Sequence, residues 1–203
     1  MFMKNSPIEY NNAMKIMHEI AEKVKKKEQK DTIWFLEHED VYTNKIIDKD
    51  RIKNIPYIKT DRGGKITYHG PGQLIAYFIL DIEKKFSRDV NLYVNFLEQI
   101  VINSLKKIKI EAERRKNLIG VWIGVQKICS IGVRVKNGIT IHGIALNVST
   151  DLDFFKHIAP CGIENVSMCS IKSLGFNASM TEMINIMQNE IQNYLKDVVF
   201  LRY

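Results

Sequence analysis

Cysteine is scarce in this chain of 203 residues. The three thiols, Cys129, Cys161 and Cys169, are odd in number and none belongs to a Cys-x-x-Cys pair. That spacing excludes a disulfide framework and a standard zinc site, and it points to a reducing compartment. Long apolar runs are missing as well. No stretch approaches the roughly 20 residues that a membrane-spanning helix needs, and the N-terminal residues carry no apolar signal core. A soluble cytoplasmic protein with no membrane partner is expected. Repeats, low-complexity tracts and linker-like composition are also absent, which leaves one domain over residues 1–203. Acidic residues are outnumbered, 23 against 30 Lys and Arg, for a formal net charge of +7. The excess favours acidic partners in general. Helix-turn-helix, zinc-finger and ribonucleoprotein aromatic signals are lacking, so nucleic acid is not the expected one. The cluster Lys23, Lys25, Lys26, Lys27 and Lys30 reads as a solvated helix end.

Apolar residues make up 45% of the chain, enough for a sizeable core. Glycine is concentrated. Four of eleven fall between Arg62 and Gln73, in Arg-Gly-Gly-Lys-Ile-Thr-Tyr-His-Gly-Pro-Gly-Gln. Glycine permits close backbone approach and positive φ, and Pro71 restricts both itself and Gly70. A turn-rich connection would use the same residues. The interleaved Arg62, Lys65, Thr67, Tyr68 and His69, followed by the apolar run Leu74 to Ile82, make a polar binding loop on a rigid strand the better reading.

The remaining elements follow from periodicity and caps. Ser6-Pro7-Ile8-Glu9 has capping-box spacing and opens a helix over about 7–27. Thr32 to Glu37 reads as a strand, followed by a polar turn through Thr43, and irregular lysine-rich sequence leads to the glycine loop. His38 is a satisfied structural histidine or, alternatively, a substrate contact. Leu74 to Ile82, apolar on both faces, is a strand buried between layers. Asp89 caps a second helix. The runs 119–125, 127–135 and 139–148 form an antiparallel meander, with Asn137-Gly138 as a type I′ hairpin turn. Asp151 to His157 is a short helical turn, and Ser179 with Glu182 opens a last helix. The fold class is α/β, a single domain with a mixed β-sheet flanked by helices.

Two side chains stand out chemically. Cys161 lies between Pro160 and Gly162, on a locally fixed turn. A thiol with a pKa of about 8.5 needs a cationic neighbour to become a nucleophile at neutral pH. Lys127 sits in an otherwise apolar run and is such a neighbour; the alternative is a strand-end lysine that reaches water, beside a cysteine that only packs. Cys129, two residues from Lys127 and so on the same strand face, is a rival nucleophile. His157, Cys161 and Cys169 match no standard zinc spacing.

Three segments together resemble the lipoate-biosynthesis octanoyltransferases, over about residues 32–174: Arg-Gly-Gly with Thr-Tyr-His-Gly-Pro-Gly-Gln, Lys-Ile-x-x-Ile-Gly-Val-Arg from Lys127, and Pro-Cys-Gly-Ile around Cys161. His142 to Val148 matches a further segment. The resemblance implies a fold similar to the biotin/lipoate protein ligase catalytic domain. It also implies Cys161 as nucleophile and Lys127 as its partner. The octanoyl group would pass from octanoyl-acyl carrier protein, through a thioester on Cys161, to a lysine ε-amine. Acceptors would be the lipoyl domains of 2-oxoacid dehydrogenase E2 subunits and the glycine cleavage H protein. It further implies that Arg62, Gly63, Gly64, Lys65, Ile66, Thr67, Tyr68 and His69 line the acyl site, with Ser130, Ile131, Gly132, Gly143, Ile144 and Ala145. Tyr68 and His69 would touch substrate, and no cofactor or metal is required. Amides of the glycine loop or Gly162 are candidates for an oxyanion hole. Two stretches depart from the family pattern: Asn44-Lys45-Ile46 after Val41-Tyr42-Thr43, and Val166 to Ile171 after Cys161. An ATP-dependent lipoate or biotin ligase, or a non-catalytic lipoyl-domain binding protein, is the competing reading.

Overall fold

The computed structural model describes residues 7–46, 51–52, 54–158 and 167–203. Its elements in chain order are α1 (Tyr10–Lys25), β1 (Thr32–Leu36), β2 (Val41–Asn44), β3 (Arg51–Ile52), β4 (Ile55–Lys59), β5 (Thr67–His69) and β6 (Gln73–Ile79). There follow α2 (Ile82–Phe86), α3 (Val90–Lys107), β7 (Glu113–Arg115), β8 (Leu118–Ile123), β9 (Gln126–Lys136) and β10 (Ile139–Asn147). Two 3-10 turns (Leu152–His157 and Lys172–Leu174), α4 (Met180–Tyr194) and β11 (Val199–Arg202) complete the set.

A seven-stranded sheet runs β11-β1-β6-β10-β9-β8-β7. Its pairings are antiparallel except β1 with β11, so the sheet is mixed, as expected. β6 is buried along its whole length. Alternation divides its side chains between two layers. Ile75, Tyr77 and Ile79 pack with Ala13, Met17 and Ile20 of α1. Leu74, Ala76 and Phe78 pack with Leu97 and Val101 of α3 and Met183 and Met187 of α4. Each Leu, Ile, Val, Phe or Met among them contributes about 1.5–3 kcal/mol on burial, so both faces are committed.

The caps at Asp89 and Ser179 form as read. The Asp89 carboxylate accepts from the N–H groups of Asn91 and Leu92, and Ser179 Oγ accepts from Glu182 N–H. Asn137 and Gly138 both take positive φ, 54° and 83°, at the β9–β10 turn. Three expectations change. The first helix begins at Tyr10 and its cap is Glu9, whose carboxylate accepts from Asn11 and Asn12 N–H; Ile8 stays extended and bridges His38, and Ser6 lies outside the described residues. The strand from Leu74 stops at Ile79, because Asp81 caps the short helix that begins at Ile82. A second sheet, β3-β4-β2-β5, occupies the stretches read as turn and irregular chain. Its strands are short and rich in polar residues, which hides the period of two. The departure at Asn44 lies in this sheet: its Nδ2 donates to Tyr57 Oη at 2.8 Å, and Tyr57 Oη donates to Ile46 O, tying the end of β2 to β4.

Candidate active site

The glycine loop lies along β9. Gly63 N–H donates to Val133 O at 2.9 Å. Arg62 Nη2 donates to Thr43 O and to Thr43 Oγ1, anchoring the loop to the second sheet. Between the loop, β9, β10, α3 and the β7–β8 hairpin is a cavity of about 770 Å³. Arg62, Gly63, Gly64, Lys65, Ile66, Thr67 and His69 border it from the loop; Lys127, Ser130, Ile131, Gly132, Gly143, Ile144 and Ala145 border it from β9 and β10. Cys161 and Gly162 lie outside the described residues.

Tyr68 is the exception. It does not border the cavity. Within β5, Thr67 and His69 face one way and Tyr68 the other, as strand alternation requires. Its ring packs with Tyr42 and Phe155, and its hydroxyl donates to Asp40 Oδ1 at 2.5 Å. Among the residues named for the acyl site, Tyr68 is thus the one whose side chain packs into the second sheet rather than against this cavity.

Lys127 is only 2% exposed. Its Nζ donates to Ile119 O at 2.8 Å and lies 5.3 Å from the centre of the Trp122 ring. A buried ammonium held by a carbonyl and an aromatic face is compensated rather than stranded. Two further features shape this pocket for it. Gly120 has φ +128°, and a Cβ there would stand 2.4 Å from Lys127 Cε and 2.6 Å from Cys129 O. The buried Glu98 carboxylate accepts from Gly120 N–H through Oε1 and from Arg114 Nε through Oε2, binding α3 to the hairpin that carries Ile119. On the other side of β9, Lys127 N–H donates to Ser167 O and Lys127 O accepts from Cys169 N–H. Cys129 is fully buried, and burial pushes its thiol up to about 12. It is no nucleophile at neutral pH.

The far end of the cavity is a cluster of rings. His38 Nδ1–H donates to Ile8 O and its Nε2 accepts from Tyr77 Oη at 2.6 Å, a satisfied structural histidine held down to about 4 by burial. His142 takes the left-handed φ of 62° and gives its backbone N–H to Met17 Sδ; its Nε2–H donates to Asp61 Oδ1 at 2.7 Å. Burial lowers the His142 pKa, while the hydrogen bond from His142 holds Asp61 well below the usual carboxylate range. The pair is thus a neutral imidazole on a carboxylate. His69 is pushed well below its ordinary value by burial, then by His38 and Arg62. His69 and His142 border the cavity, the His38 ring lies 5.8 Å from that of His69, and burial lowers the pKa of all three. Tyr10, Tyr77, Glu98, Trp122 and His142 border the cavity without having been singled out from sequence. Only His142 carried a signal, as the first residue of a matched segment.

No helix among the described residues is long and apolar enough to cross a membrane, and no group of three or more His, Cys, Asp or Glu among them is placed to hold a metal ion. Residues 9–192 match the model of the lipoyl protein ligase A/B catalytic domain. The chain is 41% identical over 190 residues to an octanoyltransferase of Wolbachia sp. subsp. Brugia malayi, covering 90% of this chain and 93% of that one. It is 40% identical over 201 residues to an octanoyltransferase of Rickettsia bellii, covering 94% and 96%. Among solved structures, a putative lipoate protein ligase from T. acidophilum with bound lipoic acid superposes with a TM-score of 0.74 at 18% identity, covering 98% of this chain and 86% of that one. The bipartite lipoate protein ligase of T. acidophilum, described with its E2 lipoyl domain, gives 0.72 at 17% identity over 96% and 84%. These structures share the fold.

Proposed function

The chain belongs to the lipoyl protein ligase A/B catalytic-domain family and is an acyltransferase that moves octanoyl groups in lipoate biosynthesis, and from that premise we propose that it works in two steps through Cys161 and Lys127. One catalytic domain spans residues 1–203 in this reading, acting in the cytoplasm. The thiolate of Cys161 attacks the thioester carbonyl of octanoyl-acyl carrier protein, and the carrier thiol departs. A lysine ε-amine of a lipoyl domain then attacks the acyl-enzyme, a C–N bond forms, and the Cys161 thiol is released. Lipoyl-domain proteins are the acceptors; the E2 subunits and the glycine cleavage H protein are the particular ones proposed. No cofactor is called for.

The observation that carries this reading is Lys127, a 2% exposed ammonium in the wall of the cavity that the glycine loop closes. A cation fixed there favours the thiolate form of a neighbouring cysteine and can protonate a departing thiolate. Ser167, six residues beyond Cys161, is bonded to the Lys127 backbone, so the chain downstream of the cysteine is tied to the lysine. Ile75, Ile131, Val133, Ile144 and Ala145 give the cavity an apolar side suited to the acyl chain. Intact mass measurement after mixing with octanoyl-acyl carrier protein tests the proposal. A hydroxylamine-labile octanoyl adduct is expected on the wild type and on Cys129→Ser, and no thioester on Cys161→Ser. An adduct that survives in Cys161→Ser with the same lability sinks the assignment.

The mouth of the cavity is basic. Lys65 of the loop and Lys116 of the β7–β8 hairpin are exposed on its rim, and Arg115 lies 5.3 Å from the centre of the Trp122 ring beside them. Acyl carrier proteins are acidic, and rim charges act mainly on encounter, with a salt dependence. Changing Lys65 and Lys116 together to Glu is expected to raise KM for the carrier-protein donor about tenfold at low salt, and by less at high salt. A KM that does not move with either charge or salt would place carrier docking elsewhere.

A further inference from the structure

A line of side-chain amides runs from the cavity to the backbone beside Lys127, and it has only one consistent direction. At one end is a backbone carbonyl, Cys169 O, which can only accept. Asn147 Nδ2 donates to it at 3.0 Å. Asn147 Oδ1 then faces Gln73 and accepts from its Nε2 at 2.9 Å. That Nε2 also lies 3.4 Å from a second acceptor, Tyr68 O. Gln73 Oε1 is therefore the atom that meets His69 Nδ1, at 2.7 Å. An amide oxygen cannot donate, so the proton between them belongs to His69. Gln73 and Asn147 are also partners across the β6–β10 ladder, so the line is held by backbone pairing at its centre.

We propose that Gln73 and Asn147 are positioning residues that fix His69 as its Nδ1–H tautomer, leaving Nε2 as a hydrogen-bond acceptor for the attacking lysine amine. Nε2 has no hydrogen-bond partner among the described residues, and the ring borders the cavity. The octanoyl thioester carbonyl brings no donor of its own; the acceptor amine does. This assignment rests on the two-step reading above. In the second step the amine nitrogen forms the C–N bond, the C–S bond to Cys161 breaks, and one proton leaves nitrogen for His69 Nε2. Lys127, which regains from solvent the proton it gives to the carrier thiolate in the first step, supplies the proton that the departing Cys161 thiolate takes up; His69 then releases its proton to solvent. The labour is divided: His69 removes a proton from nitrogen and Lys127 delivers one to sulfur. The same line ends at Cys169, whose N–H donates to Lys127 O, so both proton-handling side chains are referenced to one backbone segment.

Burial first, and then charged and titratable neighbours, lower the His69 pKa. The groups facing its ring are Tyr10 of α1, stacked at 6.3 Å, Arg62 of the loop, and His38 and His142, the nearest of them His38 at 5.8 Å between ring centres. None is a carboxylate; the hydrogen bond to Gln73 works the other way, and burial outweighs it. Replacing Gln73 by Glu puts one in place. The glutamate still accepts from Nδ1–H, but its charge raises the His69 pKa.

Nitrogen NMR on the intact labelled protein reads the tautomer directly. The expected result is a protonated Nδ1 and an unprotonated Nε2 on His69 through the neutral range; a dominant Nε2–H form overturns the relay. Pre-loaded acyl-enzyme mixed with a lipoyl domain reads the role. His69→Asn is expected to slow transfer about 10²-fold, a markedly larger loss than it causes in acyl-enzyme formation. Equal losses in both steps overturn the amine assignment. Gln73→Glu should lose transfer rate as pH falls through the raised His69 pKa and regain it above, whereas Gln73→Leu should be slow at every pH. A Gln73→Glu profile as flat as wild type overturns the positioning role. If the wild type forms no acyl-enzyme, the two-step reading fails and takes the amine assignment with it, while the NMR result stands or falls separately.

Discussion

Lys127→Met should cost about 10³-fold in turnover of octanoyl-acyl carrier protein, the scale of a lost general acid–base group, with little change in melting temperature. Methionine keeps the length of the side chain and removes its charge. The variant leaves Ile119 O without the ammonium it now receives at 2.8 Å, which costs about 1–3 kcal/mol. Removing a charge from a site that is 2% exposed returns a desolvation penalty of similar size. The two nearly cancel, so the melting temperature is expected to move by only a few degrees, at about 2–4 °C per kcal/mol for a chain of this size. Steady-state rates and a thermal melt on the same preparation check both halves. A variant that keeps more than a tenth of wild-type turnover would remove Lys127 from the proton-handling role. Lys127→Arg should not rescue it, because the guanidinium is larger and Gly120 leaves no slack.

Gly120→Ala should lose about 10²-fold in turnover without touching any reacting group, by moving the lysine that does. The new Cβ would lie 2.4 Å from Lys127 Cε, and it would sit at φ +128°, which side chains rarely adopt. Cys129 O, at 2.6 Å, blocks the other way out. The hairpin cannot simply drift, because Gly120 N–H is held by Glu98 and Glu98 by Arg114. A destabilisation of about 1–3 kcal/mol is expected from the overpacking. The decisive comparison is the double variant. If Gly120 acts through Lys127, Gly120→Ala in the Lys127→Met background should lower turnover little further, since the group it displaces has gone. Fully additive losses would mean that Gly120 matters for another reason.

Much of the fold was legible because its signals are local. The Asp89 and Ser179 caps and the Asn137-Gly138 turn depend on a few adjacent residues, and the uninterrupted apolar run after Gln73 could only be a strand covered on both faces. The second sheet was not legible. Its strands run two to five residues, and Lys59 and Asn44 sit where a period of two would want apolar side chains. The cavity residues from the loop, β9 and β10 were named through family resemblance, and alternation within Thr67-Tyr68-His69 is what turns Tyr68 away from the cavity that its neighbours border. Glu98 and Gly120 were out of reach. Glu98 looks like any polar residue on an amphipathic helix, and the need for a bare Cα at position 120 arises only when Lys127 folds across it. His69's tautomer lies further still from sequence, since it depends on two side-chain hydrogen bonds whose partners lie 4 and 74 positions apart.

The type I′ turn at Asn137-Gly138 has a consequence for the order in which the molecule assembles. It joins β9 and β10, and those two strands alone carry Lys127, Ser130 to Gly132 and Gly143 to Ala145. Hairpins of this kind close in about 1–10 μs, and their closure needs no distant partner. The pairing of β1 with β11 joins residues more than 160 positions apart in the chain and carries a larger loop-closure cost. The wall of the cavity is thus the part of the sheet the chain can build from its nearest contacts. The glycine loop and α1 arrive against a surface that already exists, and the last β-strand closes the sheet on the side away from it.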